Sequence, residues 1–189
     1  RDKENASDGG IYAGVFQYSD ETHNLQLWDY YAPDLYNTFF AQYDYTHKID
    51  SLKYDAGIQF IHFKEVGDLS DNDFTEIDYN IFSLRLDGKF DNGFDFATGA
   101  TFFSDGEGTG ATLGAWGGYP YFANGMIFHF FEAGSLQNAN SYKAQVGYDF
   151  SKLGIDDLWG GVRYTYFDLD STYSKTATGL PQDKMDMVG

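Results

Sequence analysis

Residues Leu35 to Glu65, LYNTFFAQYDYTHKIDSLKYDAGIQFIHFKE, write one rule twice: apolar and polar side chains alternate, a polar turn intervenes, and the alternation resumes. In the first arm Leu35, Phe39, Ala41, Tyr43 and Tyr45 share a face opposite Tyr36, Thr38, Gln42, Asp44 and Thr46. In the second, Leu52, Tyr54, Ala56, Ile58 and Phe60 lie opposite Lys53, Asp55, Gly57 and Gln59. A strand crossing a bilayer needs about 9–11 tilted residues, whereas a globular strand has about 5–6. Both arms reach the longer length, so the spacing predicts a hairpin of a transmembrane antiparallel β-barrel.

Outward from this hairpin, the same period predicts strands near 10–18, 23–32, 35–48, 52–65, 76–90, 94–104, 141–150 and 159–168, with a last one beginning near 186. Compact connections fall at Ser19 to Thr22, Ile49 to Ser51, Asp91 to Gly93 and Ser151 to Leu158. Long ones rich in Asp, Gly, Ser and Asn fall at 67–75, 105–140 and 171–186. From Ile49 onward the two kinds alternate, as short periplasmic turns and long external loops do in an outer-membrane barrel. The short turn Tyr31-Ala32-Pro33-Asp34 then belongs to the external rim and is the one weak beat. We read 1–189 as a single domain, part of one barrel.

Composition agrees with this class. The 189 residues are 20% aromatic with no Cys, and the formal net charge is −17. No run approaches the ~18 apolar residues of a transmembrane helix. The mean hydropathy of −0.45 does not argue against a barrel, because alternation hides half of each strand's apolar character. Such acidity argues against a nucleic-acid partner, since nothing here neutralises a phosphate backbone. No signal peptide opens the chain, which starts Arg1-Asp2-Lys3-Glu4, and it closes on Met187-Val188-Gly189 as another strand would begin; we expect an incomplete piece.

Alternation also assigns faces. Ile77, Tyr79 and Ile81 lead on odd numbers while Phe82, Leu84, Leu86 and Phe90 follow on even ones, which predicts a bulge near Ile81-Phe82. The later phase directs Ser83, Arg85, Asp87 and Lys89 inward. Lys143, Gln145, Gly147 and Asp149 point inward opposite Tyr142, Ala144, Val146, Tyr148 and Phe150. Gly161, Arg163, Thr165 and Phe167 do so opposite Val162, Tyr164 and Tyr166. Aromatics near strand ends suit interfacial girdles: Trp28, Tyr30, Tyr31 and Tyr36 at one rim, Phe90, Phe94, Phe150 and Trp159 at the other.

Three motifs add a family likeness. Tyr30-Tyr31-Ala32-Pro33-Asp34-Leu35-Tyr36, then Trp116-Gly117-Gly118-Tyr119-Pro120-Tyr121-Phe122, then Asn138-Ala139-Asn140-Ser141-Tyr142 leading into Val146-Gly147-Tyr148-Asp149-Phe150 resemble the OprD-like outer membrane porins. The nearest flavour is the branch of the Campylobacter-type major outer membrane porins. The resemblance implies a barrel of roughly sixteen to eighteen strands, of which this chain is the C-terminal part. It departs from the family in lacking a terminal strand that ends on an aromatic residue. The resemblance further implies a homotrimer in outer-membrane lipid and lipopolysaccharide, and a ladder of inward basic side chains that guides carboxylates, matched here by Arg85, Lys143 and Arg163.

For a pore, the chemistry is a field and a constriction. The segment from Gly106 to Asn140 is long and carries the apolar run Trp116 to Phe131, which an exposed loop has no reason to keep. Trp116, Tyr119, Tyr121 and Phe122 are therefore constriction candidates if the loop folds inward, contact residues if it packs against a neighbouring subunit, and lid residues if it packs on itself. Inward Asp44, Asp55, Asp87, Asp95 and Asp149 predict a cation-preferring passage for small hydrophilic solutes and ions. The alternative within transport is a selective channel for amino acids, peptides or other carboxylates. From other classes come a soluble carbohydrate-binding sandwich, and an adhesin anchored by a plugged barrel.

Asp68, Asp71 and Asp73 crowd oxygen ligands that suit Ca²⁺, without the Gly at six and Glu at twelve of an EF-hand, and a solvated loop is the plainer account. Otherwise no cofactor is expected. His23, His47, His62 and His129 lack metal-ligand spacing, and no nucleophile, phosphate-loop or dinucleotide motif marks an enzyme.

Overall fold

A computed structural model of the chain describes residues 10–66, 77–107, 121–123, 136–175 and 179–189. Its strands are β1 (Tyr12–Ser19), β2 (His23–Ala32), β3 (Tyr36–Ile49), β4 (Leu52–Glu65), β5 (Asp78–Phe90), β6 (Phe94–Phe103), β7 (Asn140–Asp149), β8 (Trp159–Asp168) and β9 (Lys184–Val188). Each pairs antiparallel with the next, giving one nine-stranded sheet in the order β1 to β9. This all-β meander, with long strands and one apolar face, is part of a porin-type transmembrane barrel. Strand ends lie within two residues of those predicted, because the breakers act locally: Asp50 and Gly93 hold positive φ of 49° and 98° in the tight turns.

The β1–β2 turn shows how a short connection is built. Asp20 accepts the Tyr18 hydroxyl at 2.7 Å and the amides of Thr22 and His23 at 2.8 and 2.7 Å. The Tyr18 hydrogen bond first, and the two amides next, hold its carboxyl down at about 2 against the usual 3.8. A depressed carboxylate contributes stability above its unfolded value, and the contribution is lost as pH falls through about 2. A carboxyl carbon-13 titration of Asp20 is expected to inflect at about 2, and an inflection near 3.8 would remove the turn's role.

Register sets the two faces. Phe82, Leu84 and Leu86 are 42%, 39% and 42% exposed, while Ile81 and Ser83 beside them are fully buried at 0%. Ile58, Phe60, Phe102, Val146 and Val162 continue the exposed apolar outer face. An apolar surface this continuous needs a hydrocarbon phase to cover it.

Two expectations are corrected. No bulge interrupts β5: its pairing runs unbroken from Lys64↔Asp78 to Leu52↔Phe90, and from Ile81↔Phe103 to Lys89↔Asp95 on the other side. Tyr79 and Ile81 share the inner face with Ser83, Arg85 and Asp87, and are apolar because chain from the long connection covers them. The girdle is also redistributed. Trp28, Tyr30, Tyr36 and Trp159 share the inner face by register, whereas Tyr31, Phe90 and Phe94 face outward. An interior wall takes aromatics as readily as an interface does, so ring content at a strand end does not report its face.

The core sits on the inner face toward the long connections. Ile61, Phe63, Tyr79, Ile81, Phe103 and Phe167 from the sheet pack with Tyr121, Leu136 and Ala139 from the β6–β7 connection.

Candidate functional site

Below this core, toward the short turns, the inner wall becomes polar in successive register rows. Gln17, Gln26, Gln42, Gln59, Ser83, Thr101 and Ser141 form the first row. The next holds Asn24, Asp44, Gly57, Arg85, Gly99 and Lys143, followed by Thr46, Asp55, Asp87, Ala97, Gln145 and Arg163. Last come Lys48, Lys53, Lys89 and Asp95. A polar wall behind an apolar outer face is what lets water and solutes pass inside a barrel.

The first row fastens the long connection. Thr101 Oγ1 accepts the Ala123 amide at 3.2 Å and shares a 2.9 Å hydrogen bond with Ser83. Ser141 Oγ donates to the Ala123 carbonyl at 2.7 Å. Ala123 and Tyr121 are 0% and 1% exposed, and the Tyr121 ring meets Phe103 edge-on at 5.1 Å. The described piece of this connection, residues 121–123, is thus fastened to the inner face of the sheet. Thr101→Val keeps the shape but removes both hydrogen bonds, and is expected to cost about 1–2 kcal/mol and to speed protease cleavage between β6 and β7. Cleavage at the wild-type rate would show that this hydroxyl does not hold the segment.

Arg85 lies at the middle of the second row. Its guanidinium reaches Asp44 at 2.8 Å and Asp87 at 3.7 Å, and its carbon centre lies 4.8 Å from the Phe122 ring centroid. Asp44 also accepts Gln42 at 2.7 Å and Asn24 at 3.2 Å. Space for the assembly comes from Gly57, where a Cβ would lie 2.7 Å from Asp44 Oδ1 and 2.8 Å from Arg85 Nε.

The other expected charged residues of the strands lie on the inner face. Asp55 accepts Thr46, Asp95 accepts the Trp159 indole at 2.6 Å, and Asp149 accepts the Ser151 amide at 3.1 Å with Lys89 at 3.7 Å. Lys143 and Arg163 differ from Arg85: among the described residues neither has a carboxylate in ion-pair contact, and Arg163 Nε donates to Gln145 at 2.9 Å. Tyr121 is core, and Phe122 lies under Arg85. Trp116, Tyr119, Asp68, Asp71 and Asp73 lie outside the described residues. Among the described residues no group of three or more His, Asp or Glu side chains is placed to hold a metal.

The sequence reading placed Lys53 and Lys89 inward but weighed only Arg85, Lys143 and Arg163 against the five aspartates, and it did not place Lys48 or Glu65. Lys48, Lys53, Arg85, Lys89, Lys143 and Arg163 equal in number the inward strand acids Asp44, Asp55, Glu65, Asp87, Asp95 and Asp149. The chain's −17 therefore lies elsewhere. Continuing the alternation of β3 by one more even position would have found Lys48.

No family model matches the chain, and no curated protein matches it by sequence. Solved structures match its fold. Acinetobacter baumannii OccAB4 superposes with a TM-score of 0.68 at 22% identity, over 90% of this chain and 40% of that one. Pseudomonas aeruginosa OccK2 (OpdF) in complex with glucuronate gives 0.63 at 15% identity, over 84% and 40%. Pseudomonas aeruginosa OpdK with vanillate gives 0.64 at 19% identity, over 89% and 42%. The chain thus spans well under half the length of each of these outer-membrane channels.

Proposed function

We propose that the chain is part of the wall of a bacterial outer-membrane channel through which small hydrophilic solutes and ions diffuse passively. The observation that carries this is the division of one sheet into an apolar exposed face and a polar inner wall onto which residues 121–123 fold. A soluble sandwich would need a second sheet over the apolar face, and the described strands form one sheet. The OprD-like resemblance, its Campylobacter-type branch, and a homotrimer in outer-membrane lipid and lipopolysaccharide belong to the same proposal.

Selectivity has two readings. The inward acids favour cations, but each is engaged by a neighbouring donor or base and the strand charges balance. Lys143 and Arg163 favour carboxylates, since both stand without an ion-pair partner among the described residues. We adopt carboxylate guidance as the main reading, supported by the glucuronate and vanillate held by two channels of the same fold. The test is single-channel conductance of the full-length protein in a planar bilayer under a KCl gradient. Stepwise conductance with a near-neutral reversal potential supports the balanced wall. A strongly cation-selective reversal potential returns the acidic reading, and an inserted barrel without conductance favours an anchor or adhesin.

A further inference from the structure

One stretch of the inner wall, on the long-connection side of the charged rows, is neutral. Across β1, β2 and β3 the register rows of Tyr30, Trp28 and Gln26 contain no charged side chain, and toward the short turns the first inner-face charge on these strands is Asp44. Trp28 and Tyr30 stand here with ring planes 3° apart and centroids 5.9 Å apart. On β3 the core ends in Tyr36 and Phe40, and among the described residues neither of the two β2 rings belongs to it. Trp28 is half-buried, and its Nε1–H donates to Gln26 Oε1 at 3.4 Å. An indole N–H lies in the ring plane, so this bond engages the edge of the ring and leaves its faces to apolar contact.

The amides beside the ring have hydrogen-bonding capacity in reserve. Gln26 Oε1 also accepts Gln17 Nε2 at 3.4 Å. Both bonds are longer than the usual range of about 2.7–3.2 Å, so a hydroxyl set between these groups gains more than it displaces. Among the described residues the Gln26 amide nitrogen and the Gln17 carbonyl oxygen make no hydrogen bond, which leaves one donor and one acceptor side by side. A ring with carbon-bound hydrogens on its face and hydroxyls on its edge fits both features. An anion does not, because these rows hold no counter-charge for it and a charge taken from water without one is costly.

We propose that Trp28, with Tyr30 beside it and Gln17 and Gln26 at its edge, forms a binding subsite for a neutral sugar ring. The subsite rests on the channel reading and adds to it a second solute class, held by contacts in which the charged rows take no part. Covering the C–H face of the sugar with the indole gives a preference of about fivefold over an open-chain polyol, which presents no fixed apolar face.

The test compares D-glucose with sorbitol, two uncharged solutes of nearly equal size, by the concentration of each that halves the single-channel KCl current through the full-length protein in a planar bilayer. Both thicken the solution alike, so the ratio of the two concentrations reads contact with the wall. Glucose is expected to act at about one fifth of the sorbitol concentration, Trp28→Leu to bring the two together, and Trp28→Phe to retain part of the difference. If Leu impairs insertion, Gln26→Ala tests the same seat with the indole in place and is expected to narrow the ratio about twofold. Equal action of the two solutes in the wild type would overturn the subsite and leave the channel standing. An unchanged ratio in Trp28→Leu, or in Gln26→Ala where the Leu variant does not insert, would do the same. Absence of conductance from the inserted wild type would overturn the channel reading and the subsite with it.

Discussion

Substituting Arg85 by Gln is expected to release Phe122 from the wall and to replace a steady single-channel current by one that fluctuates between levels. The guanidinium makes two contacts that a neutral amide does not: the 2.8 Å ion pair with Asp44 and the position over the Phe122 ring at 4.8 Å. Asp44 is the more sensitive partner, since its side chain is 9% exposed and would keep only the amides of Gln42 and Asn24. A buried charge stripped of its partner costs about 3–5 kcal/mol. With the Arg85 side chain 29% exposed we expect less, about 2–3 kcal/mol, read as a lowered urea midpoint in detergent. Gly57→Ala should reproduce the effect without removing a charge, because its Cβ displaces both members of the pair. Phe122→Leu should loosen the current while sparing the midpoint. Wild-type current and midpoint in Arg85→Gln would mean that the segment is held by Thr101 and Ser141 alone.

Reversing Lys143 and Arg163 together to Glu is the second large effect. It changes the wall by four charges in rows where basic and acidic side chains otherwise balance. In a confined low-dielectric passage such a change shifts local ion concentrations several-fold. The reversal potential is therefore expected to move strongly toward cation selectivity, most at low salt and much less near 1 M, where the screening length falls to about 3 Å. Uptake of a small carboxylate should fall in the same variant while uptake of a neutral sugar of equal size is kept. An unmoved reversal potential at low salt would exclude both residues from the conducting path. Arg85 is not grouped with them, because its charge is already answered by Asp44 and Asp87.

The comparison of sequence and structure turns on the range of the physics involved. Period-2 alternation is imposed residue by residue by two different surroundings, so β3 and β4, with polar Gln42, Asp44, Asp55 and Gln59 opposite apolar Ala41, Tyr43, Ile58 and Phe60, could be read directly. The inward placement of Arg85, Lys143, Arg163 and the five aspartates followed from the same parity. The bulge near Ile81 was a misreading of this rule: an apolar inner residue looks like a slipped outer one unless the segment covering it is known.

What the sequence by itself determined, then, is the class of fold, the strand limits and the face of most side chains, because each depends on a side chain's medium and on turn chemistry within a few residues. The tertiary structure alone decided which aromatics face inward, which cations form ion pairs among the described residues, and how residues 121–123 are fastened. Arg85 meets Asp44 across 41 residues and Trp159 meets Asp95 across 64, through glycine gaps whose occupants belong to other strands. Such pairings depend on register and on side-chain volume across the sheet, which no local pattern encodes.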